Sequence, residues 1–345
     1  MKRLLTIVGL IVLQTGGAQD LHFAQIAQTP LFINPAAAGV FDGWERAIMN
    51  HRNQWLGGGT QFMTTAIAVD MNLFKEDLYL APYLGVGVVL FNDVGGDSKF
   101  GNQSGSVTVS GVIPMGEAHT LSAGIQGGFG QRKADLSNVT FMNQWNGSTF
   151  DPSIISGEAN TLTSFTYLDA SGGVYYVFDG GKSTFARNNN FKMQLGVAGF
   201  HLNRPKLKYV NGVSDDRLFR KFVAHAAVVA DIPGSDFAID GSVVQFLQGG
   251  HYETLIGMML RYRFEDATKI TGNSQDAFLG VGLYGRMSDA IIPSVMVNWR
   301  GFQFGVSYDV TLSALRNAYR GGSLEFSLSY TNLNHSLFKT RGGRF

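Results

Sequence analysis

The chain contains no cysteine. Disulfide staples, thiolate metal sites and a lipid-modified N-terminal cysteine are thereby excluded. Charge is scarce too: Asp, Glu, Lys and Arg make up 15% of the residues, well below the ~25% of soluble domains. The 27 basic and 26 acidic side chains nearly cancel, so no basic field exists to hold a nucleic acid. Beyond the extreme N-terminus, no apolar run is long enough for a spanning helix.

Glycine, in contrast, is abundant, at 44 of 345 residues, roughly twice the usual share. Apolar and polar residues also alternate, as in GFQFGVSYDV. There Phe302, Phe304, Val306, Tyr308 and Val310 share one face of an extended strand. Gly301, Gln303, Gly305, Ser307 and Asp309 share the other. A soluble sandwich would bury the oily face, whereas a membrane barrel would turn it to lipid and keep the polar face inside.

Such segments recur, separated by clusters of Gly, Asn, Asp and Pro. Strands are expected near Glu45–Trp55, Gln61–Leu73, Tyr83–Phe91, Phe100–Ile113, Thr120–Gln131, Leu162–Phe178 and Phe191–His201. Further strands follow near Lys221–Ala230, Phe237–Phe246, Tyr252–Phe264, Ala277–Arg286, Ile291–Trp299, Phe302–Val310 and Ser323–Tyr330. The total is about fourteen, an even number that lets a single-chain barrel close antiparallel. Connections after odd strands include long stretches, Arg132–Thr161 and Leu202–Arg220 among them. Several after even strands are short: FKED, PMGE, DIPGSD and RG. Long outside and short inside is the habit of outer-membrane barrels, although DGGKSTFARNNN and EDATKITGNSQD run longer than the rule prefers. Sandwiches have no reason to sort loops by parity. The expected fold is therefore all-β, a transmembrane antiparallel barrel in the bacterial outer membrane.

The ends fit that setting. MKRLLTIVGLIVLQTGGAQD orders a basic start, an apolar core from Leu4 to Leu13 and small residues up to Ala18. This predicts a signal peptide over 1–18. Residues 19–43 form an apolar segment containing Phe23, Phe32 and the turn dipeptide Asn34-Pro35. It either plugs the lumen or lies along the periplasmic rim. The barrel is expected over 44–331, with a basic periplasmic tail over 332–345. Trp55, Trp299, Tyr308 and Tyr330 fall near strand ends, where aromatic girdles meet headgroups.

Catalytic patterns are lacking. The seven histidines are scattered, without a zinc-binding pair, and no Gly-x-Ser-x-Gly elbow occurs. DGGKST ends like a phosphate loop, but Tyr176 replaces its first glycine and no helix signal follows, so it reads as a turn. Asp93 and Asp97, or Asp215 and Asp216, do not match a calcium loop and read as solvated loop carboxylates. No catalytic residue, metal ligand or cofactor is expected. The inward faces should instead collect Arg46, Arg52, His225, Arg261, Arg263, Asp309 and Glu325. Mixed signs in a lumen suit mutual pairing better than an ion filter.

Several stretches resemble a known family: QDLHFAQ, PLFINPAAAG and RNQW early on, GFHLNRP at Gly199–Pro205, and the strand around His225. IIPSVMVNWR, GVSYDVTLSAL and GSLEFSLSY continue the match in order. The chain resembles the PorP/SprF family of Bacteroidetes outer-membrane proteins, departing from it at Ile26, Ala27 and the Arg132–Thr161 loop. The resemblance implies a non-enzymatic accessory barrel of type IX secretion, with gliding motility in some members. Implied partners are the lipid bilayer, a secreted cargo or adhesin with a type IX C-terminal domain, and an OmpA-like peptidoglycan-binding periplasmic protein. On that basis the outward loop with Phe141, Trp145 and Phe150 is the candidate cargo contact. A channel or hydrophobic-solute transporter is the alternative, and a soluble secreted sandwich a third reading.

Overall fold

A computed structural model describes residues 20, 23–54, 62–75, 81–96, 98–133, 139–157, 164–182, 191–207, 217–265, 277–313, 322–333 and 336–337. The predicted signal peptide, Trp55, Asp97, Asp215, Asp216 and most of the C-terminal tail lie outside the described residues.

Fourteen strands form one closed antiparallel barrel in sequence order, with β1 completing the circle against β14. They are β1 Glu45–Gln54, β2 Phe62–Leu73, β3 Tyr83–Gly95, β4 Phe100–Pro114, β5 His119–Lys133, β6 Phe165–Asp179 and β7 Phe191–Phe200. The circuit continues with β8 Lys221–Asp231, β9 Phe237–Gln248, β10 His251–Glu265, β11 Ala277–Arg286, β12 Ala290–Trp299, β13 Phe302–Thr311 and β14 Ser323–Thr331. A ten-residue strand rising ~3.3 Å per residue and tilted about 40° covers roughly 25 Å, the height of an outer-membrane apolar band.

Side-chain alternation decides which way each strand faces. On β12 the burial alternates without interruption, so Ile291, Val295, Val297 and Trp299 point out while Ile292, Ser294, Met296 and Asn298 point in. On β13, Phe302, Phe304, Tyr308 and Val310 are exposed, whereas Ser307 and Asp309 are buried. The oily face is outside. Water would not tolerate a continuous apolar belt of this size, and lipid is the solvent it fits. Aromatic pairs ring the end bearing the short turns: Phe302 and Tyr330 at 4.7 Å, Phe237 and Tyr262 at 5.3 Å. That end is the periplasmic rim.

One part of the wall departs from the regular ladder. The ladder between β6 and β7 starts at Gly172 and Gly199, so that among the described residues no strand pairs with the outer half of β6, Phe165–Ser171, on that side. His201 and Arg204 follow β7 with positive φ, 55° and 48°, and turn the chain out of the sheet. Asn203 then substitutes for a strand: its amide donates to Leu168 O at 2.7 Å and accepts from Ala170 N–H at 3.3 Å.

Candidate functional site

The described residues ahead of β1 cross the lumen from the outer half to the periplasmic rim. Short helical turns at Ile26–Gln28, Pro30–Ile33 and Pro35–Ala37 carry the path. Pro30 and Pro35, at the first positions of the second and third turns, lose no hydrogen bond there and preset φ for a turn. At the outer end Asp20 contacts His201 at 2.6 Å and accepts from Gln248 at 3.1 Å. Next, Ala24 N–H and Gln25 N–H both donate to the Glu325 carboxylate, each at 2.8 Å. Asn50 donates to Gln28 O at 2.9 Å. Asn34, fully buried, donates to Val174 O at 2.9 Å and lies 3.2 Å from His225 Nε2. Its own carbonyl oxygen accepts Ala36 N–H at 2.9 Å and caps the next turn. Near the rim, Gly39 N–H donates to Asp70 at 3.0 Å, and Trp44 joins β1 to the end of β14.

Small residues on the wall make room for this backbone. A Cβ on Gly124 would stand 2.7 Å from Ala36 Cα, and one on Gly85 would stand 2.1 Å from Ala38 O. Apolar clusters fill the remaining space: Leu31 packs with Ile48, Ala68 and Val89, and Ile33 with Val223, Val244 and Phe246. The barrel interior is thus partly a protein core, built from a segment whose sequence lacks any strand period.

Among the described residues, the charged groups expected in the lumen are spread over several places rather than gathered in one network. Arg52, 3.0 Å from Asp309, lies in the outer half, where Arg286 also binds Asp309 and reaches Asp289 at 2.7 Å. Arg46 grips Asp70 with two bonds of 2.9 and 2.8 Å near the periplasmic rim. Arg261 pairs with Asp240, and Arg263 with Asp231 at 3.3 Å. His225 stands apart, stacked on Tyr175 at 5.4 Å and facing Asn34. Glu325 serves the N-terminal segment directly. Sequence reasoning missed Arg286, Asp70, Asp240 and Asp231, although the same alternation places them inward. Asp93 requires correction: it is no solvated loop residue but a buried β3 side chain accepting from Thr64 at 2.7 Å. Its strand runs four residues past the expected end, which carries it into the wall.

Electrostatics at the outer anchor favour charge. Burial opposes the His201 imidazolium, but Asp169 at 2.9 Å and Asp20 outweigh it and raise its pKa to about 9. Burial likewise disfavours the Asp20 carboxylate, yet its bond to His201 prevails and its pKa is lowered.

On the outer side, Trp145 and Phe150 pair edge-to-face at 5.1 Å and remain about half exposed. Met142 and Ile155 beside them are almost fully exposed. Phe141 supports the tip, its backbone N–H donating to Gln144 at 2.9 Å. At the periplasmic rim, Ser336 and Leu337 of the tail both bond Glu45 at 2.8 Å.

Solved structures with a similar fold include the Ralstonia pickettii toluene transporter TbuX, 10% identical with a TM-score of 0.49 over 89% of this chain and 94% of that one. The P. putida toluene transporter TodX is 9% identical with a TM-score of 0.43 over 88% and 93%. The translocator domain of the Neisseria meningitidis autotransporter NalP is 9% identical with a TM-score of 0.40 over 89% and 96%. A search of curated proteins finds no significant match. The family profile described as type IX secretion system membrane protein PorP/SprF matches residues 15–330. With nearly the whole chain covered, this outer-membrane β-barrel belongs to the PorP/SprF family of type IX secretion membrane proteins.

Proposed function

We propose that the barrel is a non-enzymatic docking body for type IX secretion. It would hold a secreted surface protein by its C-terminal domain at the outer loops, a periplasmic peptidoglycan-binding protein at the inner rim, or both. The observation that carries this reading is the filled lumen: Leu31, Asn34, Ala36 and Ala38 are all essentially inaccessible inside the barrel. A lumen occupied by its own chain is poorly suited to pass a polypeptide, so partners would engage the ends. The apolar tip formed by Met142, Trp145, Phe150 and Ile155 suits the outer contact, since exposed aromatic clusters favour protein interfaces. The bonded tail at Glu45 offers an ordered inner one.

The test is to tag the protein in its own bacterium, extract the outer membrane in mild detergent and identify co-purifying chains by mass spectrometry. A surface protein retained through its C-terminal domain, or a peptidoglycan-binding partner, would support the role and name the partner. Recovery of the barrel alone, together with steady single-channel conductance, would overturn it in favour of transport.

A further inference from the structure

A cavity of about 110 Å³ remains in the outer half of the lumen, between the N-terminal segment and strands β3 to β8. At roughly 10–15 Å³ per water on this measure, it has room for the bulk of a chain of about eight to ten carbons. One side is apolar, with Leu31, Phe32, Val89, Phe91 and Phe200. The other carries Lys221, a residue only 8% exposed.

The Lys221 ammonium lies over two rings, 5.0 Å from the Phe246 centroid and 5.7 Å from that of Phe200. Among the described residues it has no hydrogen bond and no carboxylate within ion-pair distance. Nearby Asp20 and Asp169 are both engaged by His201, at 2.6 and 2.9 Å. Aromatic faces compensate a desolvated ammonium only in part, and Asp20 and Glu253 act on it through space without a direct ion pair, so a closer anion would still be favoured. The cavity also adjoins the place where β6 lacks its neighbour, for Tyr167, Asp169 and Ser171 line the one and belong to the other. Leu168 and Leu202, 75% and 41% exposed, flank that discontinuity on the lipid side.

We propose that this cavity binds an anionic amphiphile, its carboxylate or phosphate head at Lys221 and its acyl chain along Leu31, Phe32 and Phe91. The discontinuity beside β6 gives such a molecule a route from the bilayer, because among the described residues Asn203 and a turn, not a paired strand, meet β6 there. The site stands independently of the docking role, since it uses neither the outer tip nor the periplasmic rim.

The experiment measures equilibrium binding of decanoate, decyl phosphate and decanol to the purified full-length barrel in maltoside detergent. Saturable binding of at least one anion is expected, roughly tenfold or more tighter than decanol. Tighter decanoate would identify a free fatty acid as the source, and tighter decyl phosphate a lipid phosphate. Lys221→Met should remove that preference, and Lys221→Arg should keep affinity within about threefold, as both cations attract the head. Decanol binding as tightly as both anions, or no saturable binding, would overturn the proposal on wild-type protein alone. An undiminished preference in a folded Lys221→Met barrel would do the same.

Discussion

Glu325 is the clearest point at which to loosen the N-terminal segment, although it also faces Arg52 across the β1–β14 seam. Its carboxylate is 1% exposed and accepts two backbone N–H groups, from Ala24 and Gln25, at 2.8 Å each. Glu325→Gln keeps the shape but replaces one accepting oxygen with an NH2 group, which meets an N–H donor head-on. Losing a hydrogen bond to a charged acceptor costs about 1.5–3 kcal/mol. At 1.36 kcal/mol per tenfold, that is roughly a 10- to 150-fold rise in local opening. Hydrogen exchange read by mass spectrometry should show it in peptides covering residues 23–28, whereas peptides from β4 and β5 stay protected. Unchanged exchange at Ala24 and Gln25 would refute the idea that Glu325 pins this segment. Equal acceleration throughout the barrel would refute the separation of plug from wall.

Asp309→Asn should be more damaging, since Arg52 and Arg286 both bind that carboxylate inside the protein. Breaking a buried pair from one side typically costs about 3–5 kcal/mol, and the loss should appear as a lower unfolding temperature in heat-modifiability gels. Gly124→Val should displace the turn around Ala36 and lower stability by about 1–3 kcal/mol. Gly127→Ala is the control: its Cβ meets nothing within 4 Å and the same gels should show no change. The outer anchor should depend on pH. His201, with its pKa raised from 6.5 to about 9, contributes fully below pH 6.5 and progressively less as pH passes 9. Asp20, with a lowered pKa, contributes fully above its ordinary 3.8 and loses this on acidification. Exchange at residues 23–28, corrected for its intrinsic pH dependence, should therefore be slowest between about pH 4 and 6.5, and Asp169→Asn should flatten the alkaline rise.

The barrel was legible because a wall one residue thick, with lipid on one side and polar groups on the other, writes a period of two into every strand. β11 runs over Ala277–Arg286 as the alternation predicts, and most other ends differ by one to four residues. Which charges meet was not legible. Arg52 and Asp309 are 257 positions apart and become neighbours only once the barrel closes and its register is set. Arg286 went unremarked because it ends its strand, where the alternation carries little weight. The N-terminal segment showed its apolarity but not its path, because several of its anchoring bonds, such as those from Ala24 and Gln25 to Glu325, are made by backbone groups that any sequence supplies. Asn34 was visible as a turn residue; its role in bonding Val174 and facing His225 depends on the space above Gly173 and Gly196.

The same segment bears on how the molecule is assembled. Its partners lie on the last strand, through Glu325, and on the wall opposite, through Val174 and Gly124. A sheet that is still flat, or that lacks β14, cannot bring both to one segment, so these bonds need the wall curled into its barrel. Seating the segment is therefore a late event in biogenesis, and its protection from proteolysis is a readout of completed closure. A barrel stalled with its first and last strands apart would expose the residues that the finished one hides best.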